Sequence, residues 1–331
     1  MRKRMTLLAL TAVLALGAGG CAPRREGSVG ILYRVTGGKN SVVLLGSIHV
    51  GSEEMYPMGR HILDALEDAD VLAFECDTRS AEAQAVYAEM MRCDDGETLG
   101  SLVSGETFEL VRQAAQKTGY RIDSLNALKP WAAMSMLNTE ATAATLGAKN
   151  ARAASSLGVE EQVRALGEGR PEVWLDTIRD ELEVLDSLRP ALQESLLRST
   201  CRIILDPQTV TGMDASMDQW PQWWREGDAD AFAAAYLEGM EAEEEEQLAR
   251  EYHRALITER NAGMARRIAQ WLEEGEDHSY FVTLGLLHLV LPGDSVPDEL
   301  EAMGYTVERM KGWGINNRTL YRRAMSIQHR M

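Results

Sequence analysis

Two β-branched, Leu-rich runs, Ile31 to Val35 and Ser41 to Ile48, flank the polar stretch Thr36-Gly37-Gly38-Lys39-Asn40. That pattern predicts a hairpin closed by a glycine-containing turn. From Pro57 to Asp68 the spacing changes: Ile62, Leu63 and Leu66 share one helical face, and Pro57 suits a first turn. A further short apolar run, Asp70 to Cys76, follows. Strand, helix and strand within about fifty residues is the signature of a parallel sheet with a right-handed crossover. From Ala81 to about Leu272 the chain is nearly all helix-compatible, with breaks at Asp94 to Gly96, Gly119, Gly147, Gly167 to Pro171, Asp206-Pro207 and Gly227. Within this stretch only Glu172 to Leu175 reads as a strand. The β pattern returns at Ser279 to Leu284, followed by a helix near Val296 to Met303 and a last strand at Tyr305 to Met310. The prediction is an α/β fold whose central mixed or parallel sheet comes from the two ends of the chain, with residues 81–272 as a helical insertion. No repeat of solenoid period is present.

The first residues change the picture of where such a domain works. Met-Arg-Lys-Arg, an apolar run from Met5 to Leu16 and Gly17-Ala18-Gly19-Gly20-Cys21 follow the order of a secretory signal. The apolar run is too short for a spanning helix. A cysteine directly after small residues resembles a bacterial lipobox, with Ala18 where such boxes usually carry Leu. We therefore expect residues 1–20 to be a signal peptide, Cys21 a lipidated N-terminus and residues 21–29 a tether. The domain then spans 30–310, before a basic tail at 311–331 with Arg318, Arg322, Arg323 and Arg330. The expected location is the bacterial cell envelope, the outer membrane favoured because Ala22 is not an inner-membrane retention acid.

With 331 residues and 45% hydrophobic content, the chain has enough apolar sequence for a sizeable core. Loss of residues 1–20 removes Arg2, Lys3 and Arg4 and no acid, moving the formal net charge from −17 to −20. Such a surface repels nucleic acid. Beyond Cys21, three cysteines remain: Cys76 in an apolar strand, expected as a buried thiol, and Cys93 and Cys201, which an oxidising compartment would allow to pair. Trp220, Trp223 and Trp224 have helical core spacing, and Glu241 to Glu246 reads as a solvated helix start.

Two Gly-x-x-His motifs, Gly46 to His49 and Gly285 to His288, each close a hydrophobic strand. Ligands of open α/β sheets bind beyond the carboxyl ends of strands, and Gly46 and Gly285 give the backbone close approach there. Glu75, at the end of the apolar run Val71-Leu72-Ala73-Phe74, is costly to bury unless paired or bound to a cation. His49, Glu75 and His288 thus form a candidate set for one divalent metal, leaving positions open for water and substrate. His61, His253, His278 and His329 show no metal-ligand spacing.

The stretches Tyr33-Arg34-Val35, Leu44 to Gly51, Tyr56-Pro57 and Ala69 to Asp77 resemble the opening of the TraB/GumN family, relatives of the Tiki metalloproteases. The likeness continues through Leu128-Lys129-Pro130-Trp131-Ala132, Thr258-Glu259-Arg260-Asn261 and Tyr280 to Gly293. The resemblance implies an α/β fold and a metal-dependent hydrolytic site made by His49, Glu75 and His288. Arg260 and Asn261 match a family motif expected near that site, where Arg260 would clamp a carboxylate or stabilise an oxyanion, or else serve as an ion-pair or capping residue. The chain departs from the family in Leu286-Leu287 and in Asp176, which stands where a glutamate is expected.

The leading expectation is a lipid-anchored, extracytoplasmic hydrolase, a peptidase by resemblance, using one divalent ion such as Mn, Co or Zn on a peptide or small-molecule substrate. Glu75 serves either as ligand or as general base. The competing reading is a non-catalytic surface protein that sequesters a secreted peptide or binds haem or metal.

Overall fold

The structure, a computed structural model, describes residues 27–310 except 210, 211, 213, 214, 242–245 and 276. The signal, Cys21, most of the tether and the basic tail lie outside the described residues.

Six strands form one mixed sheet: β1 (Leu32–Thr36), β2 (Ser41–Ser47), β3 (Val71–Phe74), β4 (Glu172–Trp174), β5 (Ser279–Gly285) and β6 (Thr306–Met310), in the order β4-β3-β5-β2-β1-β6. β1 is antiparallel to both β2 and β6, giving the expected hairpin, and β4, β3, β5 and β2 all run parallel. The expected unit of β2, helix and β3 is therefore opened by an insertion, because β5 lies between the two strands. Burial explains the central position of β3 and β5. Val71-Leu72-Ala73-Phe74 and Tyr280 to Leu284 are buried without alternation, the pattern of strands covered on both faces.

The first crossover helix is shorter than the pattern suggests, Arg60–Glu67, because Met58 is held by Ser28 in an isolated parallel bridge. Within the insertion, Gly105–Thr118, Pro130–Thr145 and Pro190–Leu205 pack into a second core around Val111, Leu137, Leu197 and Cys201. Pro130 and Pro190 start their helices where a missing N–H costs nothing. Ser104 caps the first of the three by accepting from the Thr107 N–H. The insertion is thus helical as expected, and its one strand, β4, joins the edge of the sheet beside β3.

The tryptophan cluster is core. Trp224 is fully buried, and Trp220 and Trp223 pack against the ring of Phe232 at 5.9 and 5.4 Å between centroids. Cys76 is a buried thiol, while Cys93 and Cys201 are free and unpaired with each other, Cys201 being enclosed in the second core. The pairing that an oxidising compartment would allow is therefore not formed.

Candidate functional site

Because β2, β3, β4 and β5 run parallel, their carboxyl ends share one edge of the sheet. His49 follows β2 by two residues, Glu75 follows β3 directly, Asp176 follows β4 by two and His288 follows β5 by three. The expected residues are thus carried to the same edge from both ends of the chain.

The two glycine motifs touch. A Cβ on Gly46 would lie 2.4 Å from Leu286 Cδ1, and the Leu286 N–H donates to the Ser47 carbonyl at 3.0 Å. Trp224 Nε1 donates to the Gly46 carbonyl at 2.8 Å. The unusual Leu286 thus packs into space that only glycine leaves open. At Gly285 the reason for glycine is different: a Cβ there would lie 2.9 Å from Glu75 Oε1 and 3.4 Å from His288 Cδ2.

Glu75 is held on both oxygens. Oε1 accepts from the Gly285 N–H, and Oε2 accepts from Arg260 Nη2 at 2.9 Å. The same guanidinium donates to Asp176 Oδ2 at 3.1 Å and stands 3.9 Å from Glu181 Oε2. Arg260, only 11% exposed, is therefore one cation among three carboxylates. Burial pushes the Glu75 carboxyl up, but Arg260, followed by His288 and His49, reverses this and holds it at about 2. Glu181 is raised, by burial first and then by the charge of Glu75. Asp176 is raised by burial against the pull of Arg260.

Each imidazole has a partner at Nδ1. His49, whose side chain is 73% exposed, places Nδ1 2.6 Å from Glu160 Oε1. The Glu160 charge pushes this imidazole up to about 10, against desolvation. His288 is buried, and its Nδ1 lies 2.7 Å from Asn261 Oδ1. Burial lowers it to about 4, so it is neutral at pH 7. Such Nδ1 partners fix ring orientation. Nε2 of the neutral His288 keeps its lone pair, whereas His49, held protonated beside Glu160, carries a proton on Nε2 that a bound cation would have to displace.

Glu160 and Glu181 are site residues the sequence reading missed. Glu160 lies in the first turn of the helix Val159–Leu166, and the preceding Gly158 is pressed against the backbone of His49: a Cβ there would meet the His49 carbonyl at 2.3 Å. The Val159 N–H also donates to the Ile48 carbonyl at 3.1 Å. The available signal was a glycine followed by two acids at a helix start, a pattern that ordinary capping also produces. Glu181 lies on the helix Ile178–Ser187 and accepts from the Cys76 thiol at 2.7 Å.

A cleft of about 430 Å³ is lined by His49, Glu75, Glu160, Glu181, Thr283 and Arg152 among others, with His288 buried behind its wall rather than on it. The buried Thr283 Oγ1 on its wall has no hydrogen-bond partner among the described residues. A larger concavity of about 580 Å³ lies in the insertion, but its Arg189 and Glu194 are committed to Glu251 and Ser104 and no histidine lines it. Chemistry therefore points to the smaller one.

Among the described residues no group of three His, Cys, Asp or Glu side chains closes into a ready metal cage. The site instead offers two oriented imidazoles and an excess of carboxylate over cation. Of the other residues expected here, Arg260 is the carboxylate clamp, and Asn261 is buried as the partner of His288.

A family model described as the TraB/PrgY/gumN family matches residues 31–309. No curated protein and no solved structure matches the chain.

Proposed function

The chain belongs to the TraB/PrgY/gumN family, and on that premise we propose that it is a divalent-metal-dependent hydrolase, acting on peptides or similar acyl substrates at the cell envelope, anchored through a lipid on Cys21. The observation that carries this reading is the pair of imidazoles just beyond the carboxyl ends of two neighbouring parallel strands, each held at Nδ1 by a polar partner. Their donor chemistry fits Mn, Co or Zn. His49 and His288 would hold the ion through Nε2, with Glu75 contributing the lone pairs that Arg260 and Gly285 leave free. A bound divalent ion supplies Lewis acidity and a water acidic enough to react near neutral pH.

The protein's own groups divide the remaining work. Glu75, kept ionised at about 2, suits a ligand or electrostatic role better than that of a base, whose pKa should lie near the working pH. Glu181, with a raised pKa and a place on the cleft wall, is better matched to carry a proton. Thr283 Oγ1 offers an unspent hydrogen bond to water or substrate.

Arg152 is exposed at the cleft and paired with no carboxylate among the described residues, whereas Arg164 and Arg260 are engaged with acids. It is the group expected to receive an anionic end of the substrate, such as a peptide carboxylate. Arg152→Ala should raise KM about tenfold for a substrate with a free C-terminus, the scale of one partly screened charge-assisted hydrogen bond. An amidated substrate should show little change. Equal effects on both would remove Arg152 from this role.

The function itself is tested by ester and peptide turnover before and after chelation, with Mn, Co or Zn added back. Turnover lost on chelation and restored by one metal supports the hydrolase. Metal binding without turnover favours the surface-binding reading, and turnover indifferent to chelation rejects the metal.

A further inference from the structure

His253 ends the helix Glu246–His253, and a π-helical turn, Arg254–Thr258, separates it from the helix Glu259–Glu273 that carries Arg260 and Asn261. A π turn inserts one extra residue into the helix, and such turns are frequent at functional sites. On an unbroken α-helix His253 and Asn261, eight positions apart, would diverge by about 80°, at roughly 100° per residue. Absorbing one residue reduces the divergence to about 20°.

Both side chains consequently reach one carboxylate. Asp294 Oδ2 lies 2.9 Å from His253 Nε2 and accepts from Thr258 Oγ1 at 2.6 Å. The Asn261 Nδ2 amide donates to the Asp294 backbone carbonyl at 3.1 Å and to Oδ1 at 3.3 Å. On the far side, the Tyr236 hydroxyl lies 3.2 Å from His253 Nδ1.

We infer that Asp294 is a positioning residue for His288: by taking the Asn261 N–H donors on its carboxylate and on its backbone carbonyl, it turns the amide oxygen toward the imidazole. An amide oxygen only accepts, so His288 Nδ1 must carry the proton and Nε2 keeps its lone pair. Were the amide free to turn over, its N–H would face Nδ1 and favour the opposite tautomer, with Nε2 protonated and useless as a ligand. The π turn is what lets a single acid clamp Asn261 while being clamped itself by His253 and Thr258. The catalytic consequence rests on His288 being a ligand; the tautomer does not.

The test is the ¹⁵N spectrum of histidine-labelled, chelated protein, with the His288 signals identified by their loss in His288→Asn. The unsubstituted protein should show His288 protonated at Nδ1. Asp294→Ala, which removes the carboxylate but keeps the backbone carbonyl as one acceptor for the Asn261 amide, should populate the Nε2–H form in part and lower kcat up to about 10–100-fold, the usual scale for a lost outer partner, with KM little changed. His253→Phe, which leaves Asp294 its Thr258 contact, should give a partial switch, and adding Asn261→Asp to Asp294→Ala should restore the Nδ1–H form. A folded Asp294→Ala protein that keeps His288 wholly Nδ1-protonated overturns the inference, whatever its activity. If Asp294→Ala does not fold, His253→Phe decides by the same signal. A tautomer switch in a protein that binds no metal upholds the clamp and rejects the metal reading instead.

Discussion

Arg260→Ala is expected to cost about 3–5 kcal/mol of stability near neutral pH, the scale found when one partner of a buried ion pair is removed. The loss is large because Glu75, Asp176 and Glu181 would be left facing one another without the guanidinium that pairs them, the remaining nearby charge, His49, being already engaged by Glu160. Its pH dependence has a definite sign. In the intact protein Glu75 is depressed to about 2, so its pairing stabilises the fold above the unfolded carboxylate range and that stability is lost as pH falls toward 2. In the variant the uncompensated carboxyls are raised, a penalty that is absent below the unfolded pKa and grows as pH rises through and above it. Both effects make the difference between the two proteins smallest in acid. Denaturant unfolding at pH 7 and pH 4 measures it. A penalty of equal size at both values would mean that Arg260 contributes packing rather than charge.

The second large effect concerns the imidazoles. His49→Ala and His288→Ala should each lower turnover by more than about 100-fold, since even loss of an outer-shell partner costs 10–100-fold. Their stabilities should differ. His49 is open to the cleft, so its loss leaves the core intact. His288 is buried against Asn261, and removing it orphans the amide oxygen and opens a cavity, costing about 1–3 kcal/mol. Glu160→Gln should reproduce part of the His49 defect, by about 10–100-fold, without unfolding. Variants that retain turnover would remove these histidines from the site.

Much of this fold was legible because the strands announce themselves. β3 and β5 are runs buried without alternation, and the glycines at the ends of β2 and β5 mark places where a neighbouring side chain or a carboxylate comes within contact of Cα. The placement of β5 between β2 and β3 was not legible, since strand order depends on pairings across some two hundred intervening residues, a long-range property that local pattern does not encode.

For the site, the placing of His49, Glu75 and His288 at one sheet edge followed from their positions after parallel strands. What escaped were the groups that set their state. Glu160 and Glu181 are acids on helices otherwise rich in acids, and His253 looks like any surface histidine until a π turn rotates it onto Asp294. Arg260 was recognised as a possible clamp, but not that it serves three carboxylates at once. These are properties of packing between the insertion and the sheet, and no spacing in the chain reports them.

The most direct test of the central claim is the divalent metal content of the purified protein after equilibration with Mn, Co or Zn, beside His49→Ala and His288→Ala. Stoichiometric metal in the unsubstituted protein, lost in both folded variants, is the predicted result. A folded, active protein that holds no metal, or variants that bind it as well as the unsubstituted chain, would contradict the site.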